Sequence, residues 1–232
     1  MTRRLAAEAL GTAFLLMAVI GSGIMGERLA GGNAAIALLA NTLATGAALT
    51  VLISIFTPVS GAHFNPVVTL VSVLRGETNV TEGVAYAAVQ VAAAIAGVWA
   101  AHLMFALPVF EVSGKLRDGP AQIFSEFVAT FGLMMTIHGV KRSQVALMVG
   151  LYIAAAYWFT ASTSFANPAV TIARMLSDSF AGIAPSSALL FVPAQIAGGL
   201  CGWLAWRRLR AERAPACSRA RPPAPSRASG PW

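Results

Sequence analysis

Ser60-Gly61-Ala62-His63-Phe64-Asn65-Pro66-Val67-Val68-Thr69-Leu70-Val71-Ser72-Val73-Leu74 has a partner a hundred residues on, Ser162-Thr163-Ser164-Phe165-Ala166-Asn167-Pro168-Ala169-Val170-Thr171-Ile172-Ala173-Arg174-Met175-Leu176. In both, Asn directly precedes Pro. Asn is a strong N-cap, and Pro suits the first helical position because its missing N–H is one the helix leaves unbonded anyway. Each stretch is therefore read as a helix that starts at Asn-Pro and runs for about ten residues, roughly 15 Å. That is half the hydrocarbon thickness of a bilayer. Irregular backbone at membrane depth survives only where protein buries it or water meets it. The small, polar segments that lead into the two helices are thus expected to line a polar path.

A membrane surrounds them. The chain of 232 residues is 57% hydrophobic and 11% charged, with a mean hydropathy of +0.71, against roughly 25% charged for an ordinary soluble domain. Ala9 to Gly26, Leu29 to Leu74, Gly83 to Phe110, Phe127 to Val140, Ser143 to Ala173 and Ser179 to Trp206 carry no Asp, Glu, Lys or Arg. A soluble globule is excluded, and the pattern predicts an all-α membrane protein. Spans are predicted at about 5 to 26, 34 to 56, 83 to 107, 122 to 140, 145 to 163 and 186 to 208. Six spans at about 20 residues each leave no room for a large extramembrane domain. The first span follows Arg3 and Arg4 without a small-residue cleavage site, and reads as a retained helix.

The two halves echo each other. Glu8-Ala9-Leu10-Gly11-Thr12 opens the first span and Glu126-Phe127-Val128-Ala129-Thr130 the fourth, each followed one span later by an Asn-Pro half-helix. Three spans per copy is an odd number, so the second copy enters from the opposite face, giving an inverted 3+3 repeat. Repeat one covers about residues 5–107 and repeat two about 122–208, a channel-like domain over 1–208, with 209–232 as a disordered Arg/Pro-rich tail. Placing both termini inside puts Arg3, Arg4, Arg75, Lys141, Arg142 and seven tail arginines on the cytoplasmic face, and Arg28, Lys115, Arg117 and Arg174 outside. This satisfies the positive-inside rule for a multi-pass protein of the cell inner membrane. Residues 207–232 supply +6 of the formal +7. Such a tail suits anionic lipid headgroups better than nucleic acid.

No catalytic, cofactor or metal constellation is present: three His, few acids and the distant Cys201 and Cys217 match no ligand or nucleophile spacing. The facing half-helix N-termini instead concentrate positive potential where two Asn amides project their donors. Cations are repelled there, whereas a neutral molecule with lone pairs can pass while loop carbonyls accept its hydrogens. The chemistry is selection without reaction.

Ser60 to Thr69 and Phe165-Ala166-Asn167-Pro168-Ala169 resemble the paired signature loops of the aquaporin and aquaglyceroporin (major intrinsic protein) family, with Glu8 and Glu126 at the matching repeat positions. The resemblance covers about residues 5–208. It implies six transmembrane helices plus two re-entrant half-helices, a homotetramer with one pore per subunit, and a central constriction at Asn65, Pro66, Val67, Asn167, Pro168 and Ala169. It also implies pore-lining carbonyls at Gly61, Ala62, His63, Phe165 and Ala166, and Glu8 and Glu126 as structural acceptors for the loops, with proton carriage as the rival role. Counted from the two motif Asn residues, the family's outer filter falls on Thr45, Ala155, Ser164 and Val170.

Three departures stand out. The first motif ends in Val67 where Ala is usual, the arginine that normally follows the second motif is Val170, and none of the four filter positions is aromatic. A wide, uncharged filter is therefore expected. Arg174 lies four residues beyond Val170, about 6 Å along the axis. It reads as a mouth arginine near a helix C-terminus, with a reach back over one turn as the alternative. Thr171 stands where aquaglyceroporins typically carry an acid. His102 and His138 near span ends are expected to be satisfied locally, Met134, Met135 and Met148 to serve in packing, and Gly198, Gly199 and Gly202 to allow close helix contact.

A wide filter without arginine or aromatic resembles the bacterial branch associated with arsenic resistance. The expected function is passive passage of small uncharged solutes, chiefly metalloid hydroxides such as arsenite and antimonite, with methylated arsenicals as a further candidate. A general water, glycerol or urea pore is one alternative. An ion-coupled secondary transporter, which also uses inverted repeats and broken helices, is the other.

Overall fold

The computed structural model describes residues 1–211. The part of the cationic tail beyond Ala211, Cys217 included, lies outside the described residues. Eight α-helices are described: α1 (Thr2–Leu29), α2 (Ala34–Ser60), α3 (Pro66–Leu74), α4 (Val80–Met104), α5 (Pro120–Gly139), α6 (Val145–Phe159), α7 (Pro168–Arg174) and α8 (Pro185–Ala211). α1, α2, α4, α5 and α8 have the length and hydropathy to cross a membrane. α6, with 15 residues, is shorter, and holds in the second half the place that α2 holds in the first. α1 packs on α2 and α4, α5 packs on α6 and α8, and α2 meets α6 across the halves. The inverted 3+3 arrangement is thus present in full, with α3 and α7 as the two half-helices.

Local chemistry starts the helices. Asn33 Oδ1 accepts from Ala35 N and Ile36 N, and Asn79 Oδ1 from Glu82 N, each satisfying donors a helix leaves open. The two ends that depart most from the sequence reading are the C-termini of α2 and α6. α2 continues through Pro58 to Ser60 and stops at Gly61, whose φ of +90° is the left-handed conformation that glycine adopts without a Cβ penalty. α6 stops at Phe159 and not at 163, because Thr160 turns extended while its Oγ1 donates back to Ala156 O at 2.6 Å.

Glycines let the repeat-mates touch. A Cβ on Gly97 would lie 2.4 Å from Ala13 O, bringing α4 against α1. In the second half, Cβ atoms on Gly198 and Gly202 would lie 2.2 and 2.3 Å from Phe127 O and Phe131 O, bringing α8 against α5. The same contact has been built twice, on Gly-containing faces that permit backbone approach.

One end of the bundle collects cations. Arg4 pairs with Glu82 at 2.8 Å, Arg75 with Glu77 at 2.7 Å, and Arg142, Arg207 and Arg210 border a groove shared with Arg75. At the other end, the segment 105–119 folds onto 175–184: Ser113 N donates to Met175 O at 2.8 Å and Ala184 N to Lys115 O at 2.7 Å.

Candidate functional site

The two Asn-Pro helices meet cap to cap. Asn65 Oδ1 accepts from Val67 N at 2.9 Å, and Asn167 Oδ1 accepts from Ala169 N at 3.0 Å and Val170 N at 3.4 Å. With the amide oxygens engaged by their own helices, the nitrogens reach across. Asn65 Nδ2 donates to Ala166 O at 2.8 Å and Asn167 Nδ2 to Phe64 O at 2.7 Å. Each cap therefore holds the other half's loop, and each amide keeps a second hydrogen free, since an NH₂ group carries two donors.

The loops are held from behind by two buried carboxylates. Glu8 Oε1 accepts from Ser60 Oγ at 2.6 Å and His63 N at 3.0 Å, and its Oε2 accepts from Phe64 N and Gln90 Nε2, both at 2.8 Å. Glu126 Oε1 accepts from Phe165 N at 2.9 Å, and its Oε2 from Ala166 N at 2.8 Å and Gln195 Nε2 at 2.6 Å. Gln90 and Gln195 each donate also to a half-helix threonine, Thr69 and Thr171. The repeat extends to backbone strain. Ala62 and Phe64 before Asn65, and Ser164 and Ala166 before Asn167, have φ between +49° and +52°. Such conformations cost about 1–3 kcal/mol each in a non-glycine residue and persist only when surrounding structure imposes them; here the carboxylates hold Phe64 N and Ala166 N, and the Ser60 and Ser162 hydroxyls accept from Ala62 N and Ser164 N.

Between the loops and the helices lies a cavity of about 100 Å³. One side is apolar, from Leu15, Val19, Leu49, Leu133, Val149 and Ile153. The other is the loop backbone at Gly61, Ala62 and His63 and at Ser164, Phe165 and Ala166, together with Asn65 and Asn167. His63 Nδ1 lies 3.1 Å from Thr69 Oγ1 and its ring packs edge-on against Tyr86. Pro66, Val67, Pro168 and Ala169 of the expected constriction stand behind this wall and do not line the cavity.

Toward the far end of α7 the lining is Thr45, Ser164 and Val170, as expected, but Ala155 is not part of it. Ala155 is exposed on the outer face of α6. The inward stripe of that helix is Val149, Ile153 and Tyr157, four residues apart, and Tyr157 takes the place expected of Ala155. Its hydroxyl donates to Thr45 Oγ1 at 3.3 Å. Arg174 also lines the cavity and is 2% exposed. The far end is consequently neither free of aromatics nor uncharged. The missed signal was the four-residue spacing along α6, which points to Tyr157 where a residue count across a loop pointed to Ala155.

A second missed residue is Arg117, on the segment 105–119. Its Nε donates to Gly182 O at 2.9 Å, Nη2 to Phe180 O at 3.2 Å, and Nη1 to Ser162 O and Thr163 Oγ1 at 3.4 and 3.5 Å. Burial holds this guanidinium below the ordinary arginine range. It likewise lowers the Lys115 ammonium, with Arg117 adding repulsion, although Lys115 Nζ gains Phe180 O at 2.8 Å. These two cations fasten the segments 105–119 and 175–184 over the second loop. His102 is engaged on both ring nitrogens, by Pro108 O at 2.6 Å and Ser177 Oγ at 2.8 Å.

Val67 has a different role from the one its motif position implies. It is 1% exposed, and a Cβ on Gly199 would fall 2.2 Å from Val67 Cγ1. The larger third residue of the first motif fills space that a glycine on α8 leaves open. Gly199→Ala is expected to destabilise by about 1–3 kcal/mol through overpacking. Adding Val67→Ala should recover most of that loss, with water flux unchanged throughout. Detergent melting of the two single variants and the double variant checks it, and additive losses would refute the pairing.

Comparison with known proteins agrees with this architecture. Residues 1–144 match the family model "Major intrinsic protein". The chain is 55% identical over 204 residues to "Aquaglyceroporin AqpS" of Rhizobium meliloti (strain 1021), covering 87% of each protein. It is 29% identical over 212 residues to "Aquaporin NIP1-4" of Oryza sativa subsp. japonica, covering 89% of this chain and 76% of that one. Among solved structures, the aquaglyceroporin from Plasmodium falciparum superposes with a TM-score of 0.70 at 18% identity, over 89% of this chain and 94% of that one. Its identity level speaks for the fold alone. The sequence matches go further: this chain belongs to the major intrinsic protein family, whose members are channels and not enzymes.

Proposed function

We propose that the cavity is the conducting path of a passive channel for small uncharged hydroxylated solutes, with metalloid hydroxides such as arsenite and antimonite as preferred cargo beside water and glycerol. The observation that carries this reading is the two-sided lining: an apolar wall faces a ladder of loop carbonyls and two half-free Asn amides. A solute with several hydroxyls can donate to the carbonyls and accept from the amides while its remaining surface slides past Leu and Val. A trihydroxide that is neutral near pH 7 meets that requirement as a small polyol does. The hydroxyls of Thr45 and Tyr157 form the filter in this reading, with Ser164 and Val170 in the cavity wall beside them. Assembly as a homotetramer in the inner membrane, with the cation-rich end and both termini cytoplasmic, accompanies the proposal.

The ion-coupled alternative needs a carboxylate able to exchange protons. Glu8 accepts four hydrogen bonds and Glu126 three, so both carboxylates are taken up in tying the loops to the helices.

Stopped-flow light scattering on vesicles holding the purified protein tests the proposal, with sucrose, glycerol, urea and arsenite as successive challenges. Fast arsenite and glycerol entry that neither saturates nor needs an ion gradient is expected. Water flux with arsenite excluded would overturn the cargo assignment. Val170→Arg, which adds a bulky guanidinium to the cavity wall, is expected to cut arsenite and glycerol entry about tenfold while sparing water. Unchanged entry at equal expression would remove Val170 from the filter.

A further inference from the structure

Two guanidinium groups lie over the ring of Phe165, Arg174 at 3.4 Å and Arg117 at 5.2 Å from its centroid, and their hydrogen-bond inventories differ. A guanidinium carries five N–H donors. Each of the three nitrogens of Arg117 has a protein acceptor. For Arg174, among the described residues, only Nε has one, Ala181 O. No carboxylate of the described residues forms a salt bridge with Arg174. A buried cation with neither a paired anion nor satisfied donors is strongly unfavourable unless oxygen from elsewhere reaches it. Arg174 lines the cavity, and its terminal nitrogens are not among the buried atoms sealed from solvent without a partner. The oxygens that satisfy it must therefore come from water or solute in the cavity.

Its position follows from helix geometry. Counted from the N-cap of α7, Asn167, Val170 and Arg174 stand at i, i+3 and i+7, on one face, and all three line the cavity. Arg174 is about 6 Å further along the axis than Val170 and about 10 Å beyond Asn167. Thr45 and Tyr157, joined by their hydroxyls at 3.3 Å, line the same cavity.

We propose that Arg174 is the fixed cation of this channel's outer filter, set one helical turn beyond Val170 and combined with the hydroxyls of Thr45 and Tyr157. The inference rests on the cavity being the conducting path. Terminal N–H groups of Arg174 donate to the oxygens of a passing neutral solute, and its charge repels cations, protons included. The filter selects oxygen-rich neutral molecules by hydrogen bonding from a displaced arginine, and Val170 leaves room for the solute just inside it.

The test uses the full chain in vesicles, with a trapped pH dye under an imposed potassium diffusion potential for proton leak, and light scattering for water and glycerol. Arg174→Gln, brought to equal protein content and an unchanged elution profile, is expected to raise proton leak about tenfold while glycerol entry persists. Wild-type leak in a folded Arg174→Gln protein overturns the proposal and leaves the channel intact. A wild-type protein that passes neither glycerol nor water overturns instead the reading of the cavity as a path. If Arg174→Gln does not assemble, Arg174→Lys decides: it keeps the charge without the planar fork, so proton exclusion should hold while the glycerol-to-water ratio shifts about threefold. An unchanged ratio there refutes the assignment.

Discussion

Glu8→Gln is expected to lower the melting temperature in detergent by roughly 10 °C and to abolish solute flux. The carboxylate accepts two donors at each oxygen, from Ser60, His63, Phe64 and Gln90. An amide supplies one accepting oxygen, and its NH₂ would point at the remaining two donors. Leaving two buried donors unpaired costs about 2–6 kcal/mol at about 1–3 kcal/mol each, a large share of the roughly 5–15 kcal/mol that holds a domain folded. The loss falls on the loop that most needs support, where Ala62 and Phe64 are held at φ of +52° and +49°. Released from the carboxylate, these residues relax toward ordinary backbone, and the carbonyls that face the cavity turn with them.

Glu126→Gln should be milder. Its oxygens divide three donors as one and two, so an amide that places its oxygen at the two-donor position strands one, at a cost of about 1–3 kcal/mol. The ranking Glu8→Gln worse than Glu126→Gln is a direct consequence of the bond count. A thermal-shift series over both variants, with Glu8→Asp as a shortened acceptor, measures it. A proton-carrying role predicts the opposite pattern: folded, stable Gln variants that lose only gradient-driven transport.

Much of this was visible in the residues because the forces involved are local. An Asn cap bonds two or three residues ahead, so Asn65 and Asn167 announced their half-helices directly, and charge-free runs marked the spans. What escaped was set by contacts between distant segments. Tyr157 rather than Ala155 faces the cavity because the inward stripe of α6 runs Val149, Ile153, Tyr157, a helical spacing that a residue count back from Asn167 across a loop does not follow. Arg174 shares a face of α7 with Asn167 and Val170, whereas Arg117 meets its carbonyl acceptors only where 105–119 packs against 175–184. The positive φ values at Ala62, Phe64, Ser164 and Ala166 defied local preference altogether, since the positions carry side chains where an isolated chain would favour glycine. Sequence order hides the carboxylates that hold Phe64 and Ala166 there, 56 and 40 residues away.

Gly150→Leu is expected to eliminate the assembled protein, and Gly150→Ala to leave it folded but less stable and less selective. Gly150 lies where α6 crosses α2. A Cβ there would sit 2.5 Å from Gly46 O and 2.2 Å from Thr50 Oγ1, which itself donates to Gly46 O at 2.9 Å. The backbone oxygen cannot be moved aside as a flexible side chain can, so even one methyl group must push the helices apart, for about 1–3 kcal/mol. The reciprocal change is gentler: a Cβ on Gly46 would meet Gly150 O at 3.0 Å. Both helices line the cavity, and Thr45 and Tyr157 reach each other at 3.3 Å from either side of this crossing. Because the interior is close-packed, a shift at the glycines is passed on to the filter. Gly150→Ala should therefore lower the melting temperature by several degrees and raise entry of solutes larger than glycerol relative to water, whereas Gly46→Ala changes both less. Fluorescence-detected size exclusion reads assembly, and light scattering with glycerol and a four-carbon polyol reads selectivity. A Gly150→Ala protein with reduced stability but wild-type selectivity would show that the Thr45–Tyr157 pair is set independently of the crossing.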